Sequence, residues 1–141
     1  MSRFVLDASV VLAWCFPDEN AALAQYVAGL FTQGDTAVVP SFWPHEVLNA
    51  LLAGEKRKRI SKELVRSFLD DLVALPIELQ QFPAEVVFDR IQNLSRAHGL
   101  TAYDAAYLDL ALDTGLPLAT LDEDLVRACN QARARLVRDD G

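Results

Sequence analysis

The sequence predicts one α/β domain with a mostly parallel central sheet of four to five strands and helices on both faces. Three observations predict it. Short β-rich runs of four to seven residues alternate with longer stretches of helical periodicity, the pattern of right-handed crossover units. The 141 residues are the length of one ordinary domain, and an apolar share of 52% is enough to close one well-buried core. No internal repeat, low-complexity segment or linker divides the chain, so residues 1–141 are read as a single domain.

The elements follow in order. FVLD (4–7) is a strand passing into a helix, ASVVLAWCF, that is expected to stop near Pro17, with Asp18 capping the next segment. ENAALAQYVAGLFTQ has helical periodicity and ends at Gly34-Asp35, and TAVVP (36–40) reads as the second strand. In SFWPHEVLNALLAGEKRKR, Ser41 is a candidate cap and Pro44 falls in the first helical turn; ISKELVRSFLDDLVAL is a further amphipathic helix. IELQQF (77–82) is the third strand. Two helices, PAEVVFDRIQNLSRAHG and LTAYDAAYLDLALDTG, are separated at Gly99. LPLATLD (116–122) is then a fourth strand entering the helix EDLVRACNQARAR, and LVRD is a candidate fifth, edge strand.

Charge narrows the function. Lys and Arg total 13 against 20 Asp and Glu, a net charge of −7, so any nucleic-acid contact must be local rather than a matter of bulk attraction. The one dense basic run is Lys56-Arg57-Lys58-Arg59; it reads equally as a helix C-terminus complementing its dipole and as a phosphate contact. Arg66, Arg90, Arg96, Arg127 and Arg133 read as helix-surface charges. Cys15 and Cys129 lack metal-ligand spacing and are expected to be reduced, buried thiols, which fits a cytoplasmic protein. The apolar run 4–16 is interrupted by Asp7 and too short to span a bilayer, so no membrane segment is expected. His45 and His98 lack ligand spacing and are assigned surface or capping roles.

The acids carry the sharper signal. On a helical wheel Leu100, Tyr107, Leu108 and Ala111 fall within roughly 60° of Asp104, whereas Asp109 and Asp113 fall on the far side and read as solvated. An unpaired carboxylate under apolar cover costs several kcal/mol, so Asp104 needs a compensating partner. Ligands of open α/β sheets bind outside the carboxyl ends of the strands, where Asp7 and Asp122 end the first and fourth; Glu46 and Asp104 lie near helix starts that can face the same edge. Each acid alone also reads as a helix cap or first-turn acid, with Thr120 and Glu123 at capping-box spacing. If the four converge, like charges ~4 Å apart repel by about 4 kcal/mol at an effective dielectric of 20, so a cation must sit among them. All-oxygen ligation suits Mg²⁺ or Mn²⁺ rather than Zn²⁺.

FVLDAS, PHEVLNAL, LTAYDAAYLDLA and LATLDEDL, in this order from residue 4 to residue 125, resemble the PIN-domain ribonucleases, in particular the VapC-like toxins of bacterial toxin–antitoxin pairs. The resemblance implies that Asp7, Glu46, Asp104 and Asp122 match the family's acidic quartet, which holds one or two Mg²⁺ or Mn²⁺ ions in an endoribonuclease site. Ser9 and Thr120 match small hydroxyl residues beside those acids, and Asp124 is a weaker match, since many relatives lack an acid there. The implied reaction is hydrolysis of an RNA phosphodiester by metal-activated water. The implied partners are a cognate VapB-like antitoxin covering the acidic site and a second copy of the chain in a homodimer. An acidic protein suits a basic inhibitory segment, and Trp14, Trp43 or Phe42 could anchor it, with core packing the alternative for the tryptophans.

A different class of reading is a non-catalytic PIN-like module that binds protein or RNA; it predicts loss of at least one quartet acid, and all four are present. A phosphatase or phosphoacceptor domain would favour a DxD pair, and Asp7-Ala8-Ser9 lacks the second acid. The glycines form no phosphate-cradling pattern.

Overall fold

The computed structural model describes residues 2–16 and 22–139; the expected stop at Pro17 and cap at Asp18 lie outside them. The strands are β1 Arg3–Leu6, β2 Thr36–Pro40, β3 Ile77–Gln80 and β4 Leu118–Ala119, all parallel, in the sheet order β3-β2-β1-β4. Phe4 faces Ala37 and Val5 faces Val38 across β1 and β2, while Val5 and Leu6 face Leu118 and Ala119 of β4. Phe4–Leu6 and Ala37–Val39 are each 2% exposed or less, although successive strand residues point to opposite faces, so both faces of the sheet's centre are covered. The edge strand β3 leaves Glu78, Leu79 and Gln80 exposed.

The helices are α1 Ala8–Leu12, α2 Ala22–Thr32, α3 Trp43–Lys56, α4 Lys62–Val73, α5 Ala84–Val86, α6 Gln92–His98, α7 Ala102–Thr114 and α8 Glu123–Ala132. The stretch expected to be one helix before Gly99 is a continuous run in which α5 passes through a π-helical turn, Val87–Ile91, into α6. Gly99 and Gly115 end α6 and α7 in left-handed backbone, at φ 64° and 70°, a conformation glycine adopts without steric cost. Ser61 caps α4 by accepting from the Leu64 N–H.

Several expectations are corrected. Ser41 does not cap α3: the cap position is Phe42, without a side-chain bond, and the Ser41 N–H is spent on the Gln80 carbonyl beyond the end of β2. The fourth strand pairs over two residues, because from Thr120 onward side chains take over the hydrogen bonding. The candidate edge strand LVRD is reduced to one parallel bridge between Leu118 and Leu136, so the described sheet has four strands. The largest correction concerns α7. Ala105 to Ala111 are all buried, Asp109 among them at 3% exposure, so α7 is a central helix packed on every side rather than a surface helix with one apolar stripe. Asp109 is therefore not solvated. Nor is Arg90 a mere surface charge: its Nε and Nη2 donate to the two Asp109 carboxylate oxygens at 2.8 and 2.9 Å, with Asp113 looser at 3.7 Å.

Candidate active site

Because all four strands run parallel, their carboxyl ends share one edge of the sheet, and the chain leaves β1 and β4 there at acidic residues. Asp7 occupies the N-cap position of α1, Glu46 and Asp104 the first turns of α3 and α7, and Asp122 the N-cap of α8. The partial positive charge of each helix start favours an acid there. The fold thus brings the four predicted acids to one edge of the sheet, near enough to act on one another's charge.

Their side chains are held very differently. Asp7, 7% exposed, accepts the hydroxyls of both Ser9 and Thr120 on Oδ2, each at 2.7 Å. The two hydroxyl oxygens in turn accept the N–H groups of Leu121 and Asp122, each at 3.0 Å, which clasps the end of β1 to the turn after β4. Ser9 and Thr120 are therefore placed beside the acid as expected, and Thr120 serves Asp7 rather than a capping box with Glu123. Glu46 Oε1 accepts the Tyr107 hydroxyl at 2.5 Å. Asp122 does cap α8, through Oδ1 and the Leu125 N–H at 3.0 Å. Asp104 is half-buried, and its carboxylate takes no hydrogen bond or ion pair from the described residues; only its backbone N–H is engaged, donating to the cap residue Thr101.

The electrostatics follow. Burial raises the Asp7 pKa against the pull of its two hydroxyl partners, with Asp122 adding to the rise. Glu46 is raised first by burial and then by Asp7 and Asp104, while the Tyr107 bond opposes the rise. Asp104 is pushed up to about 6, by burial first and then by the charges of Asp122, Asp7 and Asp124. Tyr107, buried against Asp7 and Glu46, is held far above its ordinary value and stays a neutral donor. These acids sense one another, and no protein cation answers them within the described residues. Their donor set is all oxygen, which fits a hard divalent ion such as Mg²⁺ or Mn²⁺. Among the described residues no group of three His, Cys, Asp or Glu side chains is set to hold a metal ion as it stands. The acids are gathered without being closed into a cage, as expected of uncompensated like charges.

The remaining candidates sort by contact. Asp124 is exposed and paired to Arg127 at 2.9 Å, so it reaches the cleft by its field rather than by its position. The basic run turns the chain between α3 and α4: Lys56 closes α3, Arg57 caps it, Lys58 takes a left-handed φ of 60°, and the Arg59 guanidinium lies 4.5 Å above the Phe16 ring. Lys56 is ten residues beyond Glu46 on α3, about 15 Å along the helix axis. Trp43 is core, with its indole N–H unpartnered among the described residues. Trp14 is half-buried, donates to the Ala24 carbonyl and lines a groove of about 560 Å³ with Phe31, Phe68 and Leu72. Cys15 and Cys129 are free thiols, but Cys15 is half-buried rather than buried; burial pushes the two up to about 12 and about 11, away from thiolate chemistry. His98 is a surface residue bonded to Gln131 at 3.0 Å. Tyr107, which the helical wheel places only in the apolar stripe, is the further side chain that the structure ties to one of the four acids. A tyrosine among Ala and Leu was the available signal, because a buried phenol needs a partner.

Comparison with known proteins converges on this architecture. The model of the PIN domain matches residues 4–131. Ribonuclease VapC3 of Pyrobaculum aerophilum is 30% identical over 125 residues, spanning 87% of this chain and 92% of that protein. The crystal structure of PAE2754 from Pyrobaculum aerophilum superposes with a TM-score of 0.68 at 22% identity, over 91% of this chain and 87% of that one. FitAcB from Neisseria gonorrhoeae gives a TM-score of 0.63 at 19% identity, over 99% and 98% of the two chains. VapBC2 from Rickettsia felis, bound to a DNA fragment from their promoter, gives 0.58 at 17% identity, over 98% of each. The three structural likenesses establish a shared fold.

Proposed function

The chain belongs to the PIN-domain family, and on that premise we propose that it is a VapC-like toxin: an endoribonuclease that hydrolyses RNA phosphodiester bonds at the cleft of Asp7, Glu46, Asp104 and Asp122. The observation that carries this reading is Asp104, a half-buried carboxylate pushed up to about 6 by burial and by its acidic neighbours, with no cation among the described residues to meet it. Structural carboxylates are ordinarily given a partner; this one is left for something else.

The four acids would hold one or two Mg²⁺ or Mn²⁺ ions, which when bound supply Lewis-acid activation of water and neutralise charge at the scissile phosphate. The chain's own residues do the positioning. Ser9 and Thr120 fix the Asp7 carboxylate through one oxygen, and Tyr107 fixes Glu46 through one oxygen. The α8 cap holds Asp122, which leaves Asp104 the freest of the four to adjust. Asp124 adds negative field, and the Lys56–Arg59 turn supplies positive charge about 15 Å from Glu46 for the RNA backbone.

The names of the relatives and neighbours support a VapB-like antitoxin as partner. A net charge of −7 and the groove beside Trp14 and Phe68 suit a basic segment with an apolar anchor. A second copy of the chain is the other expected partner, and sedimentation of the purified protein tests it. Free thiols and an RNA substrate support a cytoplasmic location; among the described residues no helix is long and apolar enough to cross a membrane.

The test is cleavage of total cellular RNA by the purified chain with and without Mg²⁺ or Mn²⁺, beside an Asp104→Asn variant shown by circular dichroism to be folded. Metal-dependent cleavage that disappears in the variant is the expected result. Equal cleavage by both would remove Asp104 from the site, and absence of both cleavage and Mn²⁺ binding would favour the non-catalytic module.

A further inference from the structure

Beside Glu46, the face of α3 from His45 to Leu52, with Phe42 before it and Tyr103 at the start of α7, encloses an open hollow of about 710 Å³. That is within the roughly 300–1,000 Å³ typical of sites for small organic ligands. One wall is Glu46, the carboxylate that Tyr107 holds and whose charge Asp7 and Asp104 feel. Opposite stands Tyr103, one residue before Asp104, with 60% of its surface exposed. The Tyr103 ring is not a loose surface group: it meets Phe42 edge-on, centroids 5.1 Å apart at 82°, and Phe42 meets Tyr107 in the same way at 5.8 Å and 89°. Tyr107 then bonds Glu46. An exposed aromatic plate is thus tied through two rings to a proposed metal ligand.

The rim carries the complementary polar chemistry. His45 and Asn49 lie four residues apart on the same exposed face of α3, and neither side chain is hydrogen-bonded within the described residues. Leu48 and Leu52, 39% and 47% exposed, provide apolar surface between them and the end of the helix. Single-stranded RNA is recognised by this combination: bases stack on aromatic rings, while amide and imidazole groups read base edges. An apolar protein segment would use the leucines but would leave the imidazole, the amide and the Glu46 wall unsatisfied.

We propose that this hollow is a nucleobase subsite: an unpaired base of the RNA next to the scissile phosphate stacks on Tyr103 and is read at its edge by His45 and Asn49. The assignment rests on the ribonuclease reading above and adds to it the residues that set where the RNA is cut. From that base the strand runs along α3 toward the Lys56–Arg59 turn, a path of a few nucleotides.

The test is cleavage of a randomised single-stranded RNA pool by the full chain with Mn²⁺, with the cut ends sequenced, for wild type, Tyr103→Ala, Tyr103→Phe, His45→Ala and Asn49→Ala. Loss of one stacked base predicts a kcat/KM for Tyr103→Ala lower by roughly five- to a hundredfold, with Tyr103→Phe near wild type. His45→Ala and Asn49→Ala relax the preference at one position beside the cut, and Mn²⁺ binding is unchanged in all four. Wild-type rates and sites in Tyr103→Ala would overturn the subsite while leaving the ribonuclease standing; a changed sedimentation mass in that variant would reassign the hollow to a protein contact. If the wild type cuts nothing, the ribonuclease reading has failed separately. Photocrosslinking of a 5-iodouridine version of the pool then decides the subsite: an adduct on Tyr103 supports it, and adducts elsewhere or none overturn it.

Discussion

Asp104 and Asp109 stand five residues apart on α7 and live under opposite electrostatic conditions. Asp109 is the more deeply buried, yet the Arg90 fork meets both of its oxygens. Asp104 is more open, yet the charged groups that act on it among the described residues are all acids, and with its burial they raise its pKa to about 6. One helix therefore carries a carboxylate whose charge the fold has answered and another whose charge it has left unanswered. Depth of burial does not separate the paired acid from the proposed metal ligand here; the presence or absence of a cation among the described residues does.

The comparison breaks most visibly in activity. Asp104→Asn is expected to lower RNA cleavage by more than about a hundredfold, since even the outer partners of metal ligands cost roughly 10–100-fold when removed. The same variant should melt no lower than wild type without metal, because one of several mutually repelling charges is gone. A large drop in melting temperature would place Asp104 with Asp109 as a structural acid. Next in size are Tyr107→Phe and Thr120→Val, which remove the donors holding Glu46 and Asp7. Each should weaken Mn²⁺ binding or cleavage by roughly 10–100-fold with the fold retained, as read by titration and circular dichroism.

Arg90 gives the reverse pattern. Arg90→Met strands a buried carboxylate and should lower the melting temperature clearly, with cleavage at low temperature unchanged. Asp109→Asn should cost less, since the half-exposed Arg90 can turn to water. The double variant Arg90→Met, Asp109→Leu should recover part of the loss; no recovery would mean that the pair does more than neutralise a charge. The smallest effect is in pH. The folded-state pKa of Asp104 lies above its ordinary 3.8, so its protonation stabilises the metal-free protein fully below that value, and this stability is lost as pH rises through about 6. The melting temperature of metal-free wild type should therefore fall between pH 4 and pH 7 more steeply than that of Asp104→Asn, and equal slopes would contradict the raised pKa.

The acids were legible in the sequence because three signals agreed: strand ends at Asp7 and Asp122, helix starts at Glu46 and Asp104, and motifs in a known order. Arg90–Asp109 was not legible, for a physical reason. The wheel assumed that α7 has a wet side, but the helix is enclosed, and burial of Asp109 depends on how α6 and the π-helical turn pack against it. The Ala and Leu residues on both sides of Asp109 hinted at enclosure; its partner, nineteen residues earlier, was beyond any local pattern. The brevity of β4 and the failure of Ser41 as a cap share this origin, because in both places tertiary hydrogen bonds displaced the local ones.

The clasp on Asp7 joins residues 113 apart in sequence. Asp7 and Thr120 meet only once β4 has docked beside β1, so the clasp closes with this long-range parallel pairing and not before it. Until that pairing is made, the proposed cutting site stays unassembled, so the activity that this family carries is withheld from a partly folded chain.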